Sequence, residues 1–414
     1  MRLRLLIAGG GTGGHVFPGI AIAEEVATRP GGEVLFVGTA RGLEATRVPA
    51  AGFRLELLDV SGLNRVGAAR LARGLVRLPR AFWQTAGVLR RFRPDVVVGV
   101  GGYVSGPVVL GAALLGYPTA ILEQNSYPGF TNRVLGRVVR RVYIAFEHAR
   151  RFFPPAKLLL VGNPVRRQFV DAVEDAVTGG QGATAVAEDA RRGERDLLVL
   201  GGSQGARAIN DLVVGAVAHW RETAKVGETG MTSETGAIPS IPSILHQAGA
   251  KDDARVRALY AALEPPAPRI EVRPFIEDVP SALRATRLVI ARAGALTLAE
   301  LAIIGRPAIL IPLPTAADDH QSFNAAELAE AGAAVVLAQP GLTAERLATV
   351  VRELLDDPPR LSRMAAAMRA LGRPHAASAI VDDLARLVHG APAPTPAPTS
   401  AHASTSAEER GQAR

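Results

Sequence analysis

The sequence predicts an α/β protein of two domains, each a parallel sheet with helices on both faces. Three observations carry this. Short apolar runs alternate with stretches of helical spacing along most of the chain, and such alternation builds parallel sheets. The alternation breaks near KLLLVGNPV and restarts at DLLVLGGSQGARAIN, and each half opens on a strand followed by a glycine-rich loop. Val96 to Leu122 carries no charged residue but holds six glycines and two prolines, so it divides into strand, glycine loop, helix and strand. A buried α/β unit has the hydropathy of a membrane span without being one.

The elements follow in order. LRLLIAG is a strand, residues 15–28 a helix, EVLFVG a second strand and RLELLDV a third. Helices fill 66–92, and DVVVGV, TAIL and RVYIAF continue the sheet. Gly162, Asn163 and Pro164 end the first domain, and residues 171–195 read as a polar linker or loop. The second domain runs from DLLVLG through a helix at 206–218 to IEVRPF, RLVIARAG, AILIPL and AAVVLA. Residues 225–243 read as a surface insertion. The expected division is 1–163, 164–373, a final helix at 374–390, and an Ala/Pro-rich tail at 391–414 that buries too little surface to offset its chain entropy.

Composition narrows the chemistry. The 414 residues are 48% hydrophobic and 21% charged, enough for two cores. With no cysteine, disulfides, thiolate metal sites and a cysteine nucleophile are excluded. The opening apolar stretch breaks at Gly9, too early for a secretory leader. Residues 1–161 carry 21 Lys/Arg against 9 Asp/Glu, whereas 162–414 carry 26 against 30. The first half therefore faces an anionic partner. Residues 63–93 hold eight arginines and no acid among Leu, Val, Phe and Trp, and residues 133–151 add six arginines. Part of this is solvated helix face. The pattern also suits an anionic membrane surface. It lacks the interleaved aromatics or helix-turn-helix of nucleic-acid binders, so no nucleic acid is expected.

Gly9 to Gly14, followed by His15, lies between the first strand and helix, where backbone N–H groups and a helix N-terminus can meet phosphate. Gly9, Gly11 and Gly14 fit GxGxxG. A dinucleotide site also needs an acid at the tip of the second strand; that tip is Val37-Gly38-Thr39, and the first acid is Glu44. Gly101 to Gly106 and Glu123-Gln124-Asn125-Ser126 also follow strands, so all three loops converge on one crevice. Gly201 to Ala206 is a second anion cradle. Arg292 to Thr297 precedes a helix bearing Glu300, which either holds ribose hydroxyls or serves as an early-helix acid. Gln321 and Asn324 offer amides to a sugar or base. His15 is either a general base or a helix-start cap. The remaining histidines have no metal-ligand spacing.

GGGTGGHVFPGIAIA, GVGGYVSGP, EQNSYPGFTNR, VGNPVR, GGSQGARAIN, RAGALTLAE and HQSFNA occur in this order. Together, over residues 3–388, they resemble the bacterial peptidoglycan glycosyltransferases that add N-acetylglucosamine to undecaprenyl-diphospho-muramoyl-pentapeptide, turning lipid I into lipid II. The resemblance implies a GT-B fold: two Rossmann-like domains about a deep cleft, with the last helix crossing back to the first domain. It implies an inverting transfer at the cytoplasmic face of the inner membrane, without cofactor or metal. Cell-wall synthesis and division proteins are the protein partners such a role admits. Matched motifs imply donor contacts at Thr12, Gly13, Gly14, Asn125, Arg166, Ser203, Ile276, Ala295, Leu296, Thr297, Leu298, Ala299, Glu300, Gln321 and Asn324. Glu300 would hold the ribose, Ile276 the uracil, and Ser203 the diphosphate. His15, Tyr103 and Glu123 would lie by the acceptor, His15 as base with Glu123 as its rival. The chain departs from the family at Leu122, where a histidine is frequent, and in the length of 225–243, which precedes HQAG. Other GT-B transferases, a UDP-N-acetylglucosamine 2-epimerase and a non-catalytic nucleotide-binding module are the alternatives.

Overall fold

The computed structural model describes residues 2–59, 68–178, 195–201, 206–228, 241–263 and 269–390, without the side chains of 68–79, 176–178, 206 and 225–228. The first half runs β1 (Arg4–Gly9), α1 (Gly13–Ala27), β2 (Glu33–Gly38), α2 (Glu44–Ala50), β3 (Arg54–Leu57), α3 (Ala68–Phe92), β4 (Val96–Gly101), α4 (Ser105–Leu114), β5 (Thr119–Glu123), α5 (Phe130–Val138), β6 (Arg141–Ile144) and β7 (Leu158–Leu160). The uncharged run thus becomes β4, α4 and β5. Its strands are buried on both faces, which is why they lack alternation.

The second half runs α6 (Arg167–Thr178), β8 (Arg195–Leu200), α7 (Ala206–Glu228), β9 (Ile244–Gln247), α8 (Asp253–Ala261), β10 (Ile270–Arg273), α9 (Val279–Arg284), β11 (Thr286–Ala291), α10 (Ala295–Ile304), β12 (Ala308–Leu310), α11 (His320–Glu330), β13 (Ala334–Val336), α12 (Ala344–Leu355), α13 (Pro358–Leu371) and α14 (Ala376–His389). Both sheets are parallel. Their orders are β3-β2-β1-β4-β5-β6-β7 and β10-β9-β8-β11-β12-β13. The order reverses between β1 and β4 and between β8 and β11, and ligands of open α/β sheets lie at such switch points.

Two elements depart from the sequence expectation. Residues 171–178, read as linker, belong to α6: Phe169 and Ala172 are buried in the second-domain core, and Arg167 pairs with Asp171 at 3.0 Å one turn on. The Ala- and Asp-rich composition had hidden that apolar stripe. The helix expected at 206–218 continues to Glu228, through the first residues of the expected insertion. The remainder of that insertion up to residue 240 and the 391–414 tail lie outside the described residues.

Each sheet has a core on both faces. Ile380, Val381 and Leu384 of α14 pack with the α1-side core of the first sheet. Asp383, buried on that helix, accepts hydrogen bonds from Arg141 Nε and Tyr143 Oη of β6, both at 2.9 Å.

Candidate active site

The first lip of the cleft is two interlocked glycine loops. Gly10 N–H donates to Gly101 O at 3.2 Å. Gly101 and Gly102 have φ of +100° and +83°. A Cβ on Gly101 would strike the His15 ring, and one on Gly102 would meet Gly10 O at 2.3 Å, so glycine is required twice over. Glu44 is buried behind this lip. It accepts from Gly11 N–H at 2.7 Å and from Thr39 N–H and Oγ1 at 2.9 and 2.8 Å. The first acid beyond β2 is therefore turned onto the glycine loop. It takes up the Gly11 N–H, so of the loop's backbone donors that one is not open to phosphate.

Thr12 caps α1 with an extended backbone, and Gly13, Gly14 and His15 form the helix's first turn. His15 Nδ1 lies 3.2 Å from Gly10 O. If Nδ1 carries the proton toward that carbonyl, Nε2 is left as a lone-pair acceptor. Burial pushes the His15 imidazole pKa down, against the Gly10 carbonyl, and His320 across the cleft pushes it the same way as burial. Tyr103 stands 55% exposed at the tip of the second glycine loop.

Glu123 ends β5 fully buried. Its Oε1 accepts from Asn125 N–H at 2.9 Å and Asn125 Nδ2 at 3.2 Å, and its Oε2 from Asn132 Nδ2 at 2.8 Å. Burial raises its pKa and these bonds oppose the rise. The carboxylate is thus engaged in shaping its own loop. Leu122, at the position where the family often has histidine, is buried in the strand.

The second lip gathers around the start of α10. Arg292 is buried and donates from Nη1 to Ile311 O at 2.9 Å and Pro312 O at 3.2 Å, and from Nη2 to Gln339 at 2.7 Å. It pins the ends of β11 and β12 together. Ala295, Leu296, Thr297, Leu298 and Ala299 form the opening turns of α10 after the Gly294 cap. Glu300 lies beyond the capping positions, so it is not a cap. It is buried, and its Oε1 takes both Arg166 Nε at 3.1 Å and Nη2 at 2.8 Å. Burial raises the Glu300 pKa and Arg166 opposes the rise. The Arg166 guanidinium also lies over Phe17 of α1, 5.7 Å from the ring centroid.

Ile276 is buried, its N–H donating to Gln247 Oε1 at 3.2 Å. Gln247 ends β9 beside His246, whose ring spans Tyr260 Oη and Asn210 Oδ1, both at 2.9 Å. Burial lowers the His246 pKa to about 4. Gln321 Oε1 accepts from Leu313 N–H at 3.0 Å. Ser203 lies outside the described residues.

Asn324 is fully buried, with its amide spent across the cleft: Oδ1 accepts from Ser126 N–H at 2.8 Å, and Nδ2 donates to Asn125 Oδ1 at 3.1 Å and Ala293 O at 3.2 Å. The structure therefore brings Asn125 of the first domain to Asn324 of the second, one helical turn from Gln321. Sequence reasoning missed Gln247, Asn132, the role of Glu44, and the Ser126 and Glu327 pair described below. HQAG and EQNSYPGFTNR contained the first two. Glu327 looked like any solvated helix acid.

The glycosyltransferase family 28 N-terminal domain matches residues 5–144, and the family's C-terminal domain matches residues 196–380. A UDP-N-acetylglucosamine--N-acetylmuramyl-(pentapeptide) pyrophosphoryl-undecaprenol N-acetylglucosamine transferase of Anaeromyxobacter dehalogenans is 47% identical over 93% of this chain and 93% of its own. One of the same description from Myxococcus xanthus is 47% identical over 92% of each. Among solved structures, MurG of Acinetobacter baumannii superposes with a TM-score of 0.71 at 30% identity, covering 93% of this chain and 99% of that one. A UDP-GlcNAc 2-epimerase of Neisseria meningitidis shares the fold, with a TM-score of 0.59 at 12% identity over 93% of this chain and 100% of that one. With relatives this similar along nearly its whole length, the chain belongs to glycosyltransferase family 28 and, within it, to the family of these N-acetylglucosamine transferases.

Proposed function

We propose that this chain transfers N-acetylglucosamine from UDP-N-acetylglucosamine to the 4-hydroxyl of the muramoyl sugar of undecaprenyl-diphospho-muramoyl-pentapeptide, forming lipid II. The names of the relatives support the substrates. The observation that carries the reading is the join between the lips: Asn125 and Asn324 meet at 3.1 Å, beside Gln321, so a sugar held there touches both domains at once.

The donor rests mainly on the second domain. Glu300, held by Arg166 through Oε1, offers Oε2 to the ribose hydroxyls. Backbone at Ile276 faces the uracil once Gln247 yields its N–H. Ser203 and the start of α7 take the diphosphate, where N–H groups and the helix dipole stabilise the charge that develops on departure. Leu296, Thr297 and Ala299, with Thr12, Gly13 and Gly14, line the same cleft, whereas the side chains of Ala295 and Leu298 are buried in the second-domain core and leave only their backbone to the donor. The acceptor lies on the first domain near Tyr103. His15 Nε2 removes the proton of the attacking hydroxyl, and burial keeps that imidazole neutral and ready to accept. Glu123 is the weaker base, since Asn125 and Asn132 occupy its oxygens, and its part is to hold Asn125. A single displacement at the anomeric carbon inverts it, with no covalent enzyme intermediate.

The chain meets its lipid substrate at the cytoplasmic face of the inner membrane as a peripheral protein. Among the described residues no helix is long and apolar enough to cross a membrane. Support for a surface contact comes from α3, α4 and α5. Gly111 of α4 lies against Phe82 and Thr85 of α3, and Gly106 against Thr131 of α5. These helices expose Trp83, Leu110, Leu114, Phe130, Val134 and Val138 beside exposed Arg80, Arg90, Arg137 and Arg140. The division of the chain into an acceptor domain at 1–163, a donor domain at 164–373 and a returning helix at 374–390 belongs to the same proposal, as do cell-wall synthesis and division proteins as partners.

The test supplies labelled UDP-N-acetylglucosamine and a short-chain lipid I analogue, with and without Mg²⁺. Label on the lipid in both samples is expected. Formation of UDP-N-acetylmannosamine, or of free N-acetylmannosamine and UDP where water cleaves the anomeric bond, without lipid labelling would favour the epimerase alternative and overturn the proposal.

A further inference from the structure

Beyond the residues matched to the family, one acid binds the two domains together. Glu327 lies on α11, with its side chain mostly buried. Its Oε2 accepts from Ser126 Oγ at 2.8 Å and from His148 N–H at 3.3 Å, and its Oε1 accepts from Glu147 N–H at 2.7 Å. Ser126 belongs to the loop after β5, and Glu147 opens the short 3-10 turn Glu147–Phe152 after β6. One carboxylate of the second domain thus satisfies three donors on two separate loops of the first. Charged acceptors make the stronger class of hydrogen bond, and the two N–H groups at the start of a helical turn are otherwise unpaired donors.

The surroundings reinforce this. The Ser126 N–H donates to Asn324, one turn before Glu327 on the same helix. Tyr127 stacks on Phe323 at 4.9 Å with an interplanar angle of 19°. Phe152 meets Tyr127 edge-on at 5.1 Å. The polar clasp and the aromatic stack flank Asn125, whose amide is the first-domain half of the donor-sugar site.

We propose that Glu327 is a positioning residue: by clasping Ser126, Glu147 and His148 it holds the Asn125 loop in register with α11, so that Asn125 and Gln321 can engage one sugar together. This rests on the donor-site reading above. It predicts that loss of the clasp weakens recognition of the sugar while sparing recognition of the nucleotide.

The test compares UDP and UDP-N-acetylglucosamine binding by calorimetry in wild type, Glu327→Ala, Glu327→Gln and Ser126→Ala full-length chains, with amide hydrogen exchange at Glu147 and His148. Glu327→Ala should weaken UDP-N-acetylglucosamine binding and lower kcat by about tenfold each, the scale expected of a small misplacement, with UDP affinity unchanged. Glutamine retains an acceptor for Glu147 and a polar partner for the Ser126 hydroxyl, so Glu327→Gln should recover part of the loss. Ser126→Ala removes only one bond and should show a smaller effect of the same kind. Unchanged sugar binding and turnover, or an equal loss for UDP, would overturn the proposal. Should Glu327→Ala fail to fold, Ser126→Ala and Glu327→Gln decide the question. Faster exchange of the Glu147 and His148 amides in Glu327→Ala reports the clasp without ligand. A wild-type chain that binds no UDP-sugar would instead count against the donor-site reading.

Discussion

His246 gives a stability prediction that can be worked through from the structure. Its ring is fully buried between Tyr260 and Asn210. Burial lowers its pKa from 6.5 to about 4. The folded imidazole is therefore neutral in a pH range where the unfolded one is protonated. Between about pH 6.5 and pH 4 the unfolded chain binds the extra proton, so stability falls as pH falls through that window. With about 1.4 kcal/mol for each pH unit inside it, acidification from pH 7 to pH 5 removes about 2 kcal/mol through this residue alone. The second domain carries its own reporter: Trp220 of α7 is buried and donates from its indole to Ala348 O at 3.2 Å. The other tryptophan, Trp83, is 66% exposed and is removed as Trp83→Phe. Urea unfolding followed by Trp220 fluorescence at pH 7 and pH 5 should show a loss about 2 kcal/mol smaller in His246→Gln than in its parent. Equal acid losses in the two proteins would refute the reasoning.

Three further outcomes are expected. His15→Ala should lower turnover by ~100-fold, and in the parent the acid limb of the rate profile should lie below the ordinary histidine range, because burial depresses that pKa; a limb at or above it contradicts the assignment. Asp383→Ala leaves Arg141 and Tyr143 without their buried partner and should cost about 3–5 kcal/mol, read as a fall in the first domain's melting temperature; a change below 1 kcal/mol would mean that the pair does not hold α14. Trp83→Glu combined with Phe130→Glu should abolish flotation with anionic vesicles at low salt, whereas unaltered flotation places the membrane contact elsewhere.

Much of the fold was legible because strand ends carry glycine. Gly9 and Gly101 each close a strand of a parallel sheet and Gly201 directly follows one, so strand-to-helix loops could be read from local sequence alone. α6 was not, since its apolar stripe of Phe169, Val170, Ala172 and Val173 is set among Asp, Glu and Ala. The site divided in the same way. Residues proposed to act from a single motif, such as His15, Tyr103 and Glu300, stood out in the sequence. Those whose meaning depends on a contact across the cleft did not. Nothing near Glu327 announces that it accepts from residues 180 positions away, and Glu44 was weighed only as an acid missing from its expected place. Ser126 and Asn324 each look like a single polar residue until the two domains close on one another.

The most direct test of a donor site shared by both lobes is a crystal structure of the chain with UDP-N-acetylglucosamine. The sugar ring should lie between Asn125 and Gln321, the ribose hydroxyls on Glu300 and the diphosphate at the start of α7. A nucleotide-sugar lodged in one domain alone, with its ring out of reach of Asn125, would contradict it.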